Sequence, residues 1–115
     1  MQATEEEVKK FLKEFIVKID TIGIVIRRER AVNLQTMLDL ELTSVTVREH
    51  LKRLTHKDFY KGPTDDYAGG PSLWEFGKLI KGKEVYIKIT LGYFNKAAIC
   101  VSFHYPERKI KYPFK

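Results

Sequence analysis

A single cysteine, Cys100, stands among 115 residues, so no disulfide closes within the chain and a secreted, disulfide-stapled scaffold is excluded. Long apolar runs are missing too. The longest, Ile22 to Ile26 and Ala97 to Val101, are five residues each, where a membrane-spanning helix needs ~20. Metal-ligand spacing is absent: His50 and His56 stand six apart rather than four, and no Cys-x-x-Cys joins them. The glycine-rich piece Ala68-Gly69-Gly70 lacks the Gly-Lys-Ser/Thr ending of a phosphate loop, which argues against nucleotide binding. No metal or cofactor is therefore expected. Glu5, Glu6 and Glu7 open the chain where an export signal needs basic and then apolar residues, so the expected location is the reducing cytoplasm.

What is present describes one compact domain, with 43% hydrophobic and 31% charged residues. A chain of this length buries roughly two-thirds of its unfolded surface, enough to fold without staples. The charge is unevenly spread. Residues 1 to 77 carry 12 basic and 13 acidic side chains, whereas residues 78 to 115 carry 9 basic and 2 acidic, a local net charge of +7. Such an excess favours polyanions, nucleic acid first, through counterion release. The same lysines also serve a simpler end, keeping a sheet soluble and blunting its edges.

The first segment places Val8, Phe11, Leu12, Phe15, Ile16 and Ile19 on one stripe of an amphipathic helix. Thr4 and Glu7 offer a capping box, and Glu5 with Lys9, Glu6 with Lys10 and Glu14 with Lys18 have the spacing of helix ion pairs. A short extended piece is expected over 22–27. Two further helical patterns follow, Leu34-Met37-Leu38 and Val47-Leu51-Leu54, the second started by Thr43-Ser44. The cluster Arg27, Arg28 and Arg30 lies between elements and is a weak signal for a nucleic-acid contact; a solvated loop or a docking point for a protein partner fits it at least as well.

From residue 58 the period changes to the alternation of a half-buried antiparallel sheet. Strands are expected near 58–61, 73–79, 84–91 and 97–103, with turns at Lys81-Gly82 and around Asn95-Lys96. The breaker-rich stretch from Gly62 to Pro71 reads as a loop able to close over a site. The fold class is thus α+β: helices over residues 1–57 packed on a twisted antiparallel sheet over 58–115.

Parity sorts the strand residues between two faces. Trp74, Phe76, Val85, Ile87, Ile89, Leu91, Ile99, Val101 and Phe103 fall to the core, which leaves Glu75, Tyr86, Lys88, Ser102 and His104 on the opposite side. Cys100 also falls on the polar side, as an inert thiol without triad-like companions. A carboxylate, a phenol, an ammonium and an imidazole on one face are the groups that cleave RNA without metal. One takes the proton of the ribose 2′-hydroxyl, another protonates the leaving 5′-oxygen, and cations hold the phosphate as its charge builds. The solvent face of an ordinary sheet collects the same residue types.

The strings Asp58-Phe59-Tyr60-Lys61-Gly62-Pro63, Leu73-Trp74-Glu75-Phe76-Gly77-Lys78, Gly82-Lys83-Glu84-Val85-Tyr86-Ile87-Lys88-Ile89, Val101-Ser102-Phe103-His104 and Tyr112-Pro113-Phe114-Lys115 resemble the MqsR family, toxins of type II toxin-antitoxin systems. The resemblance spans residues 58 to 115 and extends only loosely to the N-terminal helices. It implies a single RelE-like toxin domain over 1–115 and metal-independent endoribonuclease activity on messenger RNA. It also implies a cognate antitoxin as partner, and a toxin-antitoxin complex that binds operator DNA through the antitoxin. The family's working positions fall on Lys61, Glu75, Tyr86 and His104; Lys88 joins them by sharing the face of Tyr86. Two positions depart from the founding pattern, which has Gln after the Trp and Lys after Ser-Phe. Glu75 and His104 form instead an acid-base pair similar to that of small secreted microbial ribonucleases. Two other expectations stand beside a metal-independent endoribonuclease: a non-catalytic nucleic-acid-binding module, and an interaction protein whose partner covers the basic sheet.

Overall fold

In a computed structural model, described here over residues 2–67 and 69–115, three α-helices pack on a five-stranded mixed sheet. Helix α1 (Glu5–Thr21) starts where expected, with the Thr4 side chain accepting from the Glu7 N–H and the Glu7 carboxylate accepting from the Thr4 N–H. Val8, Phe11, Leu12, Phe15 and Ile19 are buried, while Ile16 is only half-buried at the margin of the stripe. Of the expected ion pairs, Glu5 with Lys9 forms at 3.3 Å. Lys9 rather than Lys10 takes Glu6, and the Lys18 ammonium donates to the carbonyls of Leu91 and Tyr93.

Strand β1 (Ile24–Ile26) leads through an arginine-rich turn into α2 (Ala31–Asp39) and then α3 (Ser44–Lys52). The stripe that α2 turns inward is Asn33, Thr36, Met37 and Leu40, spaced i, i+3, i+4 and i+7. Leu34 and Leu38, expected in the core from their spacing, are exposed. The reason is Asn33, whose fully buried amide bonds the backbone of the sheet and fixes which side of the helix faces in. Helix α3 carries a capping box from Thr43 and Thr46 and buries Val47 and Leu51 as their spacing predicts.

A 3-10 turn (His56–Asp58) delivers the chain into β2 (Phe59–Thr64), β3 (Leu73–Ile80), β4 (Lys83–Thr90) and β5 (Ala98–His104). These four form the antiparallel meander read from the alternation, but the sheet is not antiparallel throughout. Its order is β1-β5-β4-β3-β2, and β1 pairs parallel to β5. The long helical crossover between β1 and the meander permits that orientation, which three residues of strand sequence do not announce. Gly62 lets β2 lie against β3: with φ at +132°, a Cβ there would sit 2.9 Å from the Leu73 carbonyl.

One face of the sheet carries the core. Phe11 stacks on Trp74 with ring centroids 4.2 Å apart, and Phe59 meets Phe76 edge-on at 5.7 Å. Trp74 and Leu91 are only partly buried, at the margin of the cluster. In β5 the expected alternation fails. Lys88 faces Ser102 but Ile89 faces Cys100, so Val101 is an extra residue, a bulge that reverses parity below it. Cys100 and Ala98 are therefore core, and Ile99 and Val101, expected there, are half-buried. Burial pushes the Cys100 thiol up to about 12, which keeps it an inert neutral group. No helix among the described residues is long and apolar enough to cross a membrane.

Candidate active site on the open face of the sheet

The uncovered face owes its side chains to strand register. Lys61 stands opposite Glu75, Glu75 opposite Lys88, and Lys88 opposite Ser102, so one row crosses β2, β3, β4 and β5. The neighbouring row holds Gly77, Tyr86 and His104. The residues named from sequence, Lys61, Glu75, Tyr86, Lys88 and His104, thus all line one cleft of about 320 Å³.

Glu75 is the deepest of them, 6% exposed although parity places it on the open side. It sits on the interior strand β3, flanked by longer side chains on both neighbouring strands. Tyr86 Oη donates to its Oε1 at 2.5 Å. Burial, followed by the hydrogen bond to Glu75 and that carboxylate's charge, holds the Tyr86 phenol well above its ordinary range. Tyr86 is therefore a permanent neutral donor near neutrality. Its ring also lies against the His104 imidazole, with centroids 5.2 Å apart, so it bridges carboxylate and imidazole.

His104 Nδ1 lies 2.9 Å from the Tyr105 carbonyl oxygen. A carbonyl only accepts, so Nδ1 carries the proton and, in the neutral ring, Nε2 carries the lone pair. Lys61 rests its ammonium 5.2 Å above the Tyr60 ring. Among the described residues neither Lys61 nor Lys88 forms an ion pair, despite standing beside Glu75 in register. The cleft thus holds free cations around a carboxylate already engaged by a phenol.

The cleft has walls that strand parity does not reveal. Residues 105–115 run back across the open face, where Tyr112 Oη donates to Glu84 Oε2 at 2.7 Å. Ile110 and Tyr112 occupy the space that a side chain at Gly77 would need, and Ile110, Pro106, Glu107 and Arg108 form one wall. Arg30 and Ser102 form another. Of the three clustered arginines only Arg30 reaches the cleft, a distinction that needs the path of the turn and is not written in the cluster itself. The stretch expected as a loop from Gly62 to Pro71 begins inside β2, which runs on through Gly62 and Pro63 to Thr64; it contributes no described residue to the cleft, and Ala68 within it lies outside the described residues. His50 and His56 are elsewhere: His56 pairs with Glu5 at 3.6 Å, and burial together with nearby Arg53, Lys78 and Lys81 lowers the pKa of His50. Among the described residues no three His, Cys, Asp or Glu side chains are grouped so as to hold a metal ion. Compared with known proteins, the chain matches no family model, no curated protein and no solved structure.

Proposed function

We propose that the protein is a metal-independent endoribonuclease acting on messenger RNA, the toxin of a type II toxin-antitoxin pair with a RelE-like fold. The observation that carries this reading is convergence. Five side chains named for their chemistry, from strands separated by up to 43 positions in sequence, line one cleft around a buried carboxylate. The motif resemblance to MqsR toxins bears on the same positions and supplies the messenger-RNA substrate and the antitoxin partner, whereas the cytoplasmic setting rests on the single cysteine, Cys100.

In the proposed reaction the ribose 2′-oxygen attacks the adjacent phosphorus, giving up its proton to one member of the Glu75 and His104 pair. The bond to the 5′-oxygen breaks as the other member protonates it, leaving a 2′,3′-cyclic phosphate and a 5′-hydroxyl. Lys61 and Lys88 neutralise the charge on the phosphorane, a task for which unpaired ammonium groups are suited. Tyr86 fixes the Glu75 carboxylate and offers its ring to a base.

The test is incubation of the pure protein with a long RNA in chelator, followed by mapping of the ends, with a translating extract run beside it. Cleavage with 5′-hydroxyl and cyclic or 3′-phosphate ends is expected. Ends bearing a 5′-phosphate, or activity only with added magnesium, overturn the mechanism. Salt-sensitive RNA binding without cleavage in either setting assigns the cleft to a non-catalytic binding module instead.

A further inference from the structure

Building on the cleft as an RNA-cleaving site, we infer that Arg30 is a further substrate-contacting residue, gripping the phosphodiester from the β5 side, and that Asn33 is the positioning residue that holds it there. Strand β1 pairs with β5 only as far as Cys100, and beyond the bulge at Val101 no strand among the described residues lies beside the outer edge of β5. Its backbone groups still need partners. Asn33 supplies them: Nδ2 donates to the Val101 carbonyl at 3.0 Å and to the Arg27 carbonyl at 2.9 Å, and Oδ1 accepts from the Phe103 N–H at 2.9 Å. One side-chain amide thus stands in for a strand and ties the start of α2 to the β5 edge.

That tie brings Arg30, the residue just before α2, over the end of the polar row. Its Nη1 donates to the Val101 carbonyl at 2.7 Å and to Ser102 Oγ at 2.8 Å. Both acceptors are neutral, so the anchor fixes the guanidinium without cancelling its charge. Of the nearby arginines, Arg27 pairs with Glu29 and Arg48 with Asp20, both at 3.7 Å, while Arg108 stands across the cleft from Arg30 on its other wall. Arg30 makes no ion pair among the described residues. Its Nη2 and Nε remain, a planar fork suited to two oxygens of one phosphate. Lys61 on β2 and Arg30 beside β5 then bracket the row, with Lys88 and Glu75 between them. A phosphodiester bridging these cations lies over the carboxylate. The substrate class that fits is a single-stranded polyanion held at one phosphate from two sides, rather than a lone nucleotide base.

The experiment compares wild type, Arg30→Ala and Arg30→Lys on two probes: a short RNA, scored for cleavage in chelator, and the same strand 2′-O-methylated throughout, scored for binding. Arg30→Ala should lower kcat/KM by ~10²-fold, as loss of a single transition-state donor does, and millimolar guanidinium should restore part of it. Arg30→Lys should recover less than guanidinium, since an ammonium cannot form the fork. Asn33→Ser in the Arg30→Ala background should cost no further rate, which marks it as acting through Arg30. Should Asn33→Ser fail to fold, guanidinium rescue and Arg30→Lys decide the role of Arg30. Wild-type kcat, KM and methylated-strand affinity in Arg30→Ala overturn the assignment while leaving the cleavage reading intact. A wild type that binds the methylated strand but cuts nothing, on free RNA or in a translating extract, overturns the cleavage reading alone; loss of that affinity in Arg30→Ala still supports Arg30. Unchanged affinity there, with loss of a protein partner instead, makes Arg30 a docking residue and overturns the proposal.

Discussion

The two faces of the sheet are built from alternate residues of the same strands, yet they answer to different physics. The covered face packs Phe76, Val85, Ile87 and Ile89 at essentially zero exposure against α1 and its neighbours, and its stability follows apolar area. The open face sets Glu75, Tyr86, Lys88 and His104 in a cleft where what matters is which group bonds which. A substitution on one face should register in unfolding, and on the other in rate.

The largest effect is expected from the proton-transferring pair. Glu75→Gln keeps the acceptor that Tyr86 needs but removes the base, and His104→Lys keeps a cation but removes the imidazole. Each should lower cleavage by ~10² to 10⁴-fold and erase one limb of a bell-shaped pH dependence, with little change in urea midpoint. Wild-type rates and an unchanged pH profile in both variants sink the proton-transfer assignment. On the covered face, Phe76→Ala should cost about 3–5 kcal/mol in urea unfolding, the usual toll of emptying an aromatic site. Any residual folded protein should cleave at the normal rate; a specific loss of kcat without loss of stability contradicts the division between faces.

Tyr86 straddles that division, and Tyr86→Phe is the sharper probe. It strips a buried carboxylate of its donor, for a cost of about 1–3 kcal/mol. It also changes the alkaline limb of stability. The folded protein holds the Tyr86 phenol above its ordinary 10 and the Cys100 thiol up to about 12 from an ordinary 9. Unfolding releases those protons, so the stability both contribute is complete below about pH 9 and falls as pH rises beyond it. Tyr86→Phe should flatten the fall that begins near pH 10, and an identical alkaline curve in the variant refutes the assignment. The smallest effects belong to Lys109 and Lys111, exposed on the segment that walls the cleft. Alanine at either should reduce the salt slope of RNA binding by about one and leave kcat alone, whereas Lys61→Ala and Lys88→Ala should lower the rate by ~10²-fold. Equal, small effects at all four lysines favour a binding module.

Much of this was legible in the chain because it depends on short-range pattern. The α1 stripe, the Thr4 and Thr43 caps, the meander and the open-face set all follow from periods of 3.6 and 2, which the backbone imposes locally. The errors share a different cause. Val101 is an extra residue in a strand whose composition looks regular, so the parity of Ile99, Cys100 and Val101 inverts without a sequence signal. Leu34 and Leu38 turn outward because a polar residue, Asn33, outranks them by satisfying two backbone groups of the distant strand β5 and one of the adjoining turn. The wall made by Ile110 depends on a segment folding back over Gly77, and the depth of Glu75 on the longer side chains that flank it from both neighbouring strands, and both are tertiary events. Periodicity says which residues share a face; it does not say what lies across that face.

The substitution of an asparagine for a strand has a consequence for how the molecule breathes. Amides within the meander exchange with solvent deuterium when strands part, but the Phe103 amide is held by a side chain of α2. Its exchange is therefore timed by excursions of the first turn of α2. Two neighbouring amides of one strand, Phe103 and His104, become separate clocks, one set by a helix end and the other by the sheet.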